Sequence, residues 1–109
     1  MRQLRHPKVE EIVLTDVLAA LSDPVRLLIV SKLAETGGER AWSDFDVAVG
    51  ASTLSHHIQV LRLAGVINHR KEGTRCFVSI RPDLERVFPG LLRCVLGFTR
   101  SHSPGCCGG

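Results

Sequence analysis

Apolar residues recur every three or four positions near the start of the chain, which predicts an amphipathic helix over residues 9–21. Leu14 and Leu18 form a second apolar line, off the face that this spacing turns toward the core. A surface helix of a monomer usually needs only one apolar stripe. The second line therefore suggests that a partner chain covers it.

A second helix is predicted from Pro24 to about residue 35, with apolar residues again at helical spacing. Asp23 is suited to cap its first turn, and Pro24 fits the first helical position. Gly37 and Gly38 follow the last apolar position and predict its end.

Two more helices are predicted after a loop over residues 39–42. The first is short, ends at residue 49, and is capped by Ser43 or Asp44. A tight turn at residues 50–51 leads to the second, which Ser52 can cap and which ends near residues 64–65. A short helix, a tight turn and a longer helix form a helix-turn-helix unit.

The apolar period changes to two after residue 65, which indicates strands. Residues 66–70 and 75–80 predict a hairpin, and the loop over residues 71–74 contains Gly73. On the second strand Cys76 shares one face with its apolar neighbours, so we expect it to point inward.

A last helical region is predicted over residues 83–99, with a kink or break at Pro89 and Gly90. The predicted fold class is therefore mainly α with a β-hairpin wing, in the order α-α-α-α-β-β-α of a winged helix-turn-helix. Residues 1–100 would form one domain for DNA binding and dimerisation, and residues 101–109 a flexible tail rich in Gly and Cys.

Length, charge and composition narrow the function classes. The chain has 109 residues, enough for one domain, and its formal net charge of +3 is too small to identify a nucleic-acid binder without the placement of the cations. No apolar run approaches the roughly 18 residues that span a bilayer, and the first 11 residues lack the apolar centre of a secretion signal. The cysteines do not form a disulfide framework, so we expect a cytoplasmic protein without membrane contact. Neither a phosphate-binding glycine loop nor a nucleophile–base pair is recognisable, so we do not expect an enzyme.

The longer helix of the helix-turn-helix unit carries the candidate DNA contacts. Leu54, Ile58 and Leu61 repeat at i, i+4 and i+7 and should face the core. The remaining positions carry short hydrogen-bonding groups, an amide and a guanidinium, which can bind base edges or phosphates in a major groove. These candidates are Ser52, Thr53, Ser55, His56, Gln59 and Arg62.

Basic residues also gather at the predicted hairpin. Arg70, Lys71 and Arg75 flank its turn, and His69 and Arg81 lie near its ends. A ribbon with a basic tip can lie along the DNA backbone beside the groove that the helix enters. Alternatively, the charges only keep the strand edge from aggregating.

Three stretches resemble the ArsR/SmtB family of bacterial transcription regulators: LSDPVRLLIVSKL, STLSHHIQVLRLAGVI and HRKEGTRCFVSI. They contain a DPxR element that begins at Asp23, an SxHxxxLxxAG element that begins at Ser55, and a basic wing with Gly73 at its tip. The resemblance covers roughly residues 12–96. It implies a homodimeric repressor that binds a double-stranded DNA operator.

The resemblance also implies roles for particular residues. Thr53, Ser55, His56 and Gln59 fall on positions that touch DNA in the family. The first and last helices of members pair across the dimer, in agreement with the second apolar line near the start of this chain. The expected dimer residues are Leu14, Leu18, Leu91, Leu92 and Val95.

The metal sites that are common in the family are not recognisable in this sequence, so no cofactor is expected. The region before the longer helix reads AWSDFDVAV and has no Cys, and the last helix offers Asp83 and Glu85 but no His before His102. His56 and His57 point about 100° apart on a helix, which makes them poor joint ligands for one metal. We expect His57 to pack or to bond locally.

The thiols leave several alternatives open. Cys94, Cys106 and Cys107 could bind a soft metal ion or undergo oxidation if the tail folds back. Cys94 and Cys76 could instead be ordinary core residues, and the tail cysteines could have no role. The alternative function is a dimeric protein-interaction module that keeps the fold without DNA binding.

Overall fold

The structure is a computed structural model that describes residues 5–41, 45 and 49–100. Its helices are α1 (Leu14–Ala20), α2 (Pro24–Thr36), α3 (Ala51–Ala64), α4 (Pro82–Val87) and α5 (Leu91–Arg100). Its strands are β1 (Arg40–Ala41), β2 (Ile67–Glu72) and β3 (Arg75–Ile80). The predicted short helix over residues 43–49 lies outside the described residues, apart from Phe45 and Val49.

The first predicted helix is divided, and its prediction as one helix was wrong. A short 3-10 turn, Val9–Glu11, comes first, and α1 begins only at Leu14. Between them Ile12 and Val13 are extended, a conformation that suits β-branched residues. The turn is closed by Glu11, whose Oε1 accepts from the Lys8 backbone N–H at 2.7 Å, and Ile12 then turns into the core.

The boundaries of α2 agree with the prediction because each has a local cause. Asp23 Oδ1 accepts from the backbone N–H groups of Val25 and Arg26 at 2.8 and 3.2 Å, and Pro24 occupies the first helical position. Gly37 ends the helix at a φ of +71°, in the left-handed region that glycine adopts without steric cost.

The sheet has three antiparallel strands in the order β1-β3-β2. The loop predicted over residues 39–42 was wrong in part, because Arg40 pairs with Val78 and Ala41 with Phe77. The hairpin is also tighter than predicted, since pairing continues to Glu72 and Arg75 around a two-residue turn that contains Gly73 at a φ of +63°.

The core lies between the inner faces of the helices and one face of the sheet. Its fully buried side chains come from six elements and their connections; the largest of them are Ile29, Leu33, Ile58, Leu61, Ile67 and Leu84. The predicted break of the last helical region is present between α4 and α5, where Gly90 has a φ of +80°. Because α3 and the hairpin share this core, their relative position is fixed.

Candidate nucleic-acid interface

The helix α3 presents an apolar face to the core and a polar face to solvent. Leu54, Ile58 and Leu61 are buried, as their spacing predicted. The helix begins after Gly50 rather than under a Ser52 cap, so the predicted capping role of Ser52 was wrong and its hydroxyl is on the surface. The exposed candidates are Ser52, Thr53, Ser55, His56 and Gln59.

Arg62, the remaining candidate on α3, is half-buried. Its Nη1 donates to the backbone carbonyl of Arg5, and burial lowers the pKa of the guanidinium. Arg62 therefore holds residues 5–8 against the C-terminal end of α3. The sequence gives no local signal for this contact, because the two residues are 57 positions apart.

His57 is buried next to the exposed His56, as expected from their directions on the helix. Arg26 Nη1 donates to His57 Nδ1 at 3.2 Å, because a guanidinium can only donate. Arg26 Nε donates to the Ala20 carbonyl at 2.6 Å, at the end of α1. One guanidinium thus joins α1, α2 and α3, which sequence reasoning had not assigned to it.

The wing carries three of the predicted cations in different surroundings. Arg70 forms an ion pair with Glu39, at 2.8 and 3.0 Å, and a longer one with Glu72 at 3.4 Å. These carboxylates raise the pKa of the Arg70 guanidinium. Lys71 and Arg75 are exposed. Since Arg70 already has carboxylate partners, Lys71 and Arg75 are the more available wing cations.

Two further basic residues near the hairpin point inward rather than toward the tip. Arg81 is 8% exposed and forms an ion pair with Asp83 at 3.0 Å. His69 is half-buried near Arg62 and His6, and the pKa of its ring is lowered to about 4, first by burial and then by the positive charge of Arg62. The predicted basic cluster is therefore split between the wing surface and the protein interior.

The candidate dimer residues lie on two helices. Leu14 and Leu18 on α1 are 42% and 44% exposed, which leaves the second apolar line uncovered in one chain. On α5, Leu91, Leu92 and Val95 pack in part against the core. Phe98, seven positions after Leu91 and 64% exposed, was missed by sequence reasoning although its spacing continues the same stripe.

The thiols within the described part of the chain are not brought together with other ligands. Cys94 is exposed on α5 and Cys76 is half-buried on β3, so of the alternatives for Cys94 the core position is not the one observed. Among the described residues, no group of three His, Cys, Asp or Glu side chains could hold a metal ion. Cys106 and Cys107 lie outside those residues.

Known proteins provide an independent comparison. No family model matches the chain. An uncharacterised HTH-type transcriptional regulator of Methanocaldococcus jannaschii is 38% identical over 69 residues, which cover 62% of this chain and 78% of that protein. A second one, from Bacillus subtilis, is 33% identical over 79 residues, which cover 70% of this chain and 79% of that protein.

Solved structures agree with these sequence matches. A homodimeric winged helix-turn-helix DNA-binding domain of a possible ArsR-family transcriptional regulator from Mycobacterium bovis is 33% identical, with a TM-score of 0.60 over 81% of this chain and 82% of that chain. The transcriptional repressor BigR from Xylella fastidiosa is 28% identical, with a TM-score of 0.60 over 78% of this chain and 82% of that chain.

These relatives are transcription regulators rather than catalytic proteins, which agrees with the prediction that the chain is not an enzyme. No helix within residues 5–41 or 49–100 is long and apolar enough to cross a membrane. The fold class and the family inferred from the motifs are both confirmed. The chain belongs to the ArsR family of winged helix-turn-helix transcription regulators.

Proposed function

We propose that two copies of this chain bind a palindromic DNA operator in the cytoplasm and repress transcription from it. The observation that carries the proposal is the polar, solvent-facing side of α3 on a helix whose other side is fixed in the core. A helix of this kind fits the major groove, where its side chains meet base edges. The repressor role follows the relative BigR, a transcriptional repressor.

Sequence would be read by the exposed side chains in the first two turns of α3 and by Gln59 in the third. The amide of Gln59 can donate and accept at once, so it can make a paired contact with adenine. Ser52, Thr53, Ser55 and His56 would contribute shorter contacts to bases or phosphates. The positions of these exposed side chains are set by the packing of α3 on the core, because the side chains themselves are not packed.

The wing would supply contacts to phosphates rather than to bases. Lys71 and Arg75 are exposed on either side of the hairpin turn, and each can neutralise one phosphate. Arg62 and Arg70 stay in the proposed set of DNA contacts. The guanidinium of Arg62 already donates to a backbone carbonyl, and that of Arg70 is paired with carboxylates. We therefore assign these two residues a smaller contribution to DNA affinity.

Dimerisation would use the apolar residues that one chain leaves uncovered. Leu14 and Leu18 on α1 and the stripe that ends at Phe98 on α5 expose apolar surface that a second copy can bury. Leu91, Leu92 and Val95 would support this interface from positions partly packed on the core. Two copies would present two α3 helices to half-sites about 34 Å apart.

The first experiment compares Gln59→Ala and Arg75→Ala by titrating a labelled duplex from the promoter upstream of the coding region and a scrambled duplex. Gln59→Ala should weaken promoter binding more than scrambled binding, because a base contact is lost. Arg75→Ala should weaken both about equally and reduce the salt dependence, because a phosphate contact is lost. The reverse pattern would contradict the assignment.

The second experiment tests the dimer with Leu18→Glu. A carboxylate on the uncovered line should give monomers by sedimentation and abolish promoter binding at the same time. Leu28→Glu is the matched control, because Leu28 is also 44% exposed but lies on α2, outside the proposed interface. A parent chain that is monomeric at micromolar concentration would contradict the proposal. A dimeric parent that binds neither duplex would favour the alternative, a protein-interaction module without DNA binding.

A further inference from the structure

The basic segment (residues 5–8) crosses from α3 to the hairpin. At one end the Arg5 carbonyl accepts from Arg62 Nη1 on α3. One residue later the His6 ring accepts, at Nε2, from the backbone N–H of His69 on β2 at 3.0 Å. The segment therefore spans the gap between the two elements that the proposed function brings to DNA.

The segment is held in place before any DNA arrives. Pro7 is buried, and the Lys8 backbone N–H donates to Glu11 Oε1 at 2.7 Å. Ile12 follows, buried so close to α3 that a Cβ at Gly65 would lie 2.7 Å from its Cγ1. An ordered segment loses less conformational entropy on binding than a free one, which favours its use as a contact.

Three cations lie at the segment. Arg5 and Lys8 are exposed, and Arg62 lies beneath it. The pKa of His69 is lowered to about 4, first by burial and then by the charge of the nearby Arg62, so this ring is neutral near pH 7 and adds no charge of its own. Clustered cations of this kind attract a polyanion.

We propose that the basic segment is a third DNA contact, in which Arg5 binds a phosphate of the backbone strand that runs between the groove read by α3 and the wing. Ser55, Gln59 and Arg62 follow one another at i, i+4 and i+7, so the polar face of α3 leads directly to the segment. Its other end is on β2, two residues before Lys71. This inference rests on the proposed function and extends its interface to a residue outside the helix and the hairpin.

The test is Arg5→Ala in the full chain, titrated against the promoter and scrambled duplexes over a range of salt concentrations. The backbone carbonyl that Arg62 uses remains, so the variant removes the cation without removing that contact. A lost phosphate contact lowers the slope of log K against log salt by about 0.9, or about 1.8 for a dimer. Both duplexes should lose affinity to a similar extent, and Arg5→Lys should keep the parent slope.

Arg86→Ala is the matched control, because it removes the same charge from an exposed side chain on α4, far along the chain from the segment. An unchanged slope for Arg5→Ala, while the parent binds with normal salt dependence, would overturn the inference and leave the proposed function intact. An equal loss of slope in Arg5→Ala and Arg86→Ala would overturn it too, because net charge alone would then explain the effect. A parent chain without salt-dependent binding would overturn both.

Discussion

Replacement of Arg26 by alanine is expected to destabilise the whole domain, because its guanidinium joins three helices. Nε donates to the Ala20 carbonyl at 2.6 Å, and Nη1 donates to His57 Nδ1 at 3.2 Å. His57 is 8% exposed, so its ring nitrogen would lose its partner in a site that water reaches poorly. The Ala20 carbonyl lies at the end of α1, where backbone acceptors lack partners within the helix.

The size of the effect follows from these two bonds. A hydrogen bond to a charged group contributes about 1.5–3 kcal/mol, and the half-buried position of Arg26 favours the lower value. The expected loss in the free energy of unfolding is therefore about 3 kcal/mol. With a urea m-value of about 1.5 kcal/mol/M, the unfolding midpoint should fall by about 2 M. Domains of this size have roughly 5–15 kcal/mol of stability, so the variant should still fold.

The assay is urea unfolding followed by far-UV circular dichroism, with all chains at one concentration because dimerisation contributes to stability. Arg26→Lys keeps the charge but lacks the planar fork, so it should lose roughly half as much. Arg86→Ala, an exposed control, should stay within about 0.5 kcal/mol of the parent. If Arg26→Ala also stays within that margin, the link between the three helices does not stabilise the fold.

Three further predictions concern stability. Gly65→Ala should lower the free energy of unfolding by about 3 kcal/mol, because the residue has a φ of +90° and the new Cβ would lie 2.7 Å from Ile12 Cγ1. Gly73→Ala should lower it by only about 1 kcal/mol, because its φ is +63° but the space around it is open. Equal urea midpoints for the two variants would contradict this reasoning. The pKa of His69 is about 4 in the folded protein and about 6.5 when unfolded, so the unfolded chain binds more protons in that range and stability should fall as the pH drops from 7 to 5. His69→Gln should make stability less dependent on pH between 7 and 5. If the urea midpoint of this variant falls as much as that of the parent over this range, the assignment to His69 is contradicted. Asp23→Ala should lower the thermal stability by about 1 kcal/mol through loss of the α2 cap, while Asp23→Asn should retain most of it.

Local signals predicted much of the fold. Asp23, Pro24 and Gly37 fixed the ends of α2 because capping and positive φ depend on a few adjacent residues. The strand β1 was not predictable in this way, since two residues show no alternation and their partners on β3 lie far away in the sequence. The extended residues before α1 were hidden because a regular apolar spacing does not exclude a local break.

The candidate site was predictable to the extent that it depends on helical period. Periodicity alone placed Ser55 and Gln59 on the exposed side of α3. It could not reveal that Arg62 is bonded to a residue 57 positions earlier, or that Arg70 pairs with Glu39, 31 positions away. Such partners are determined by the tertiary fold, so a count of surface cations overstates how many are available to DNA.

The central claim is that a dimer reads DNA with its two α3 helices. The most direct test is to select the duplexes that the chain binds from a random-sequence pool, to sequence them, and to measure how many chains bind each recovered duplex. A dimer that reads DNA with two α3 helices should enrich an inverted repeat whose half-site centres are about one helical turn, or a multiple of it, apart. Two chains should bind each recovered duplex, and Leu18→Glu should enrich nothing. An unchanged pool, or an unrepeated site bound by one chain, would contradict the account.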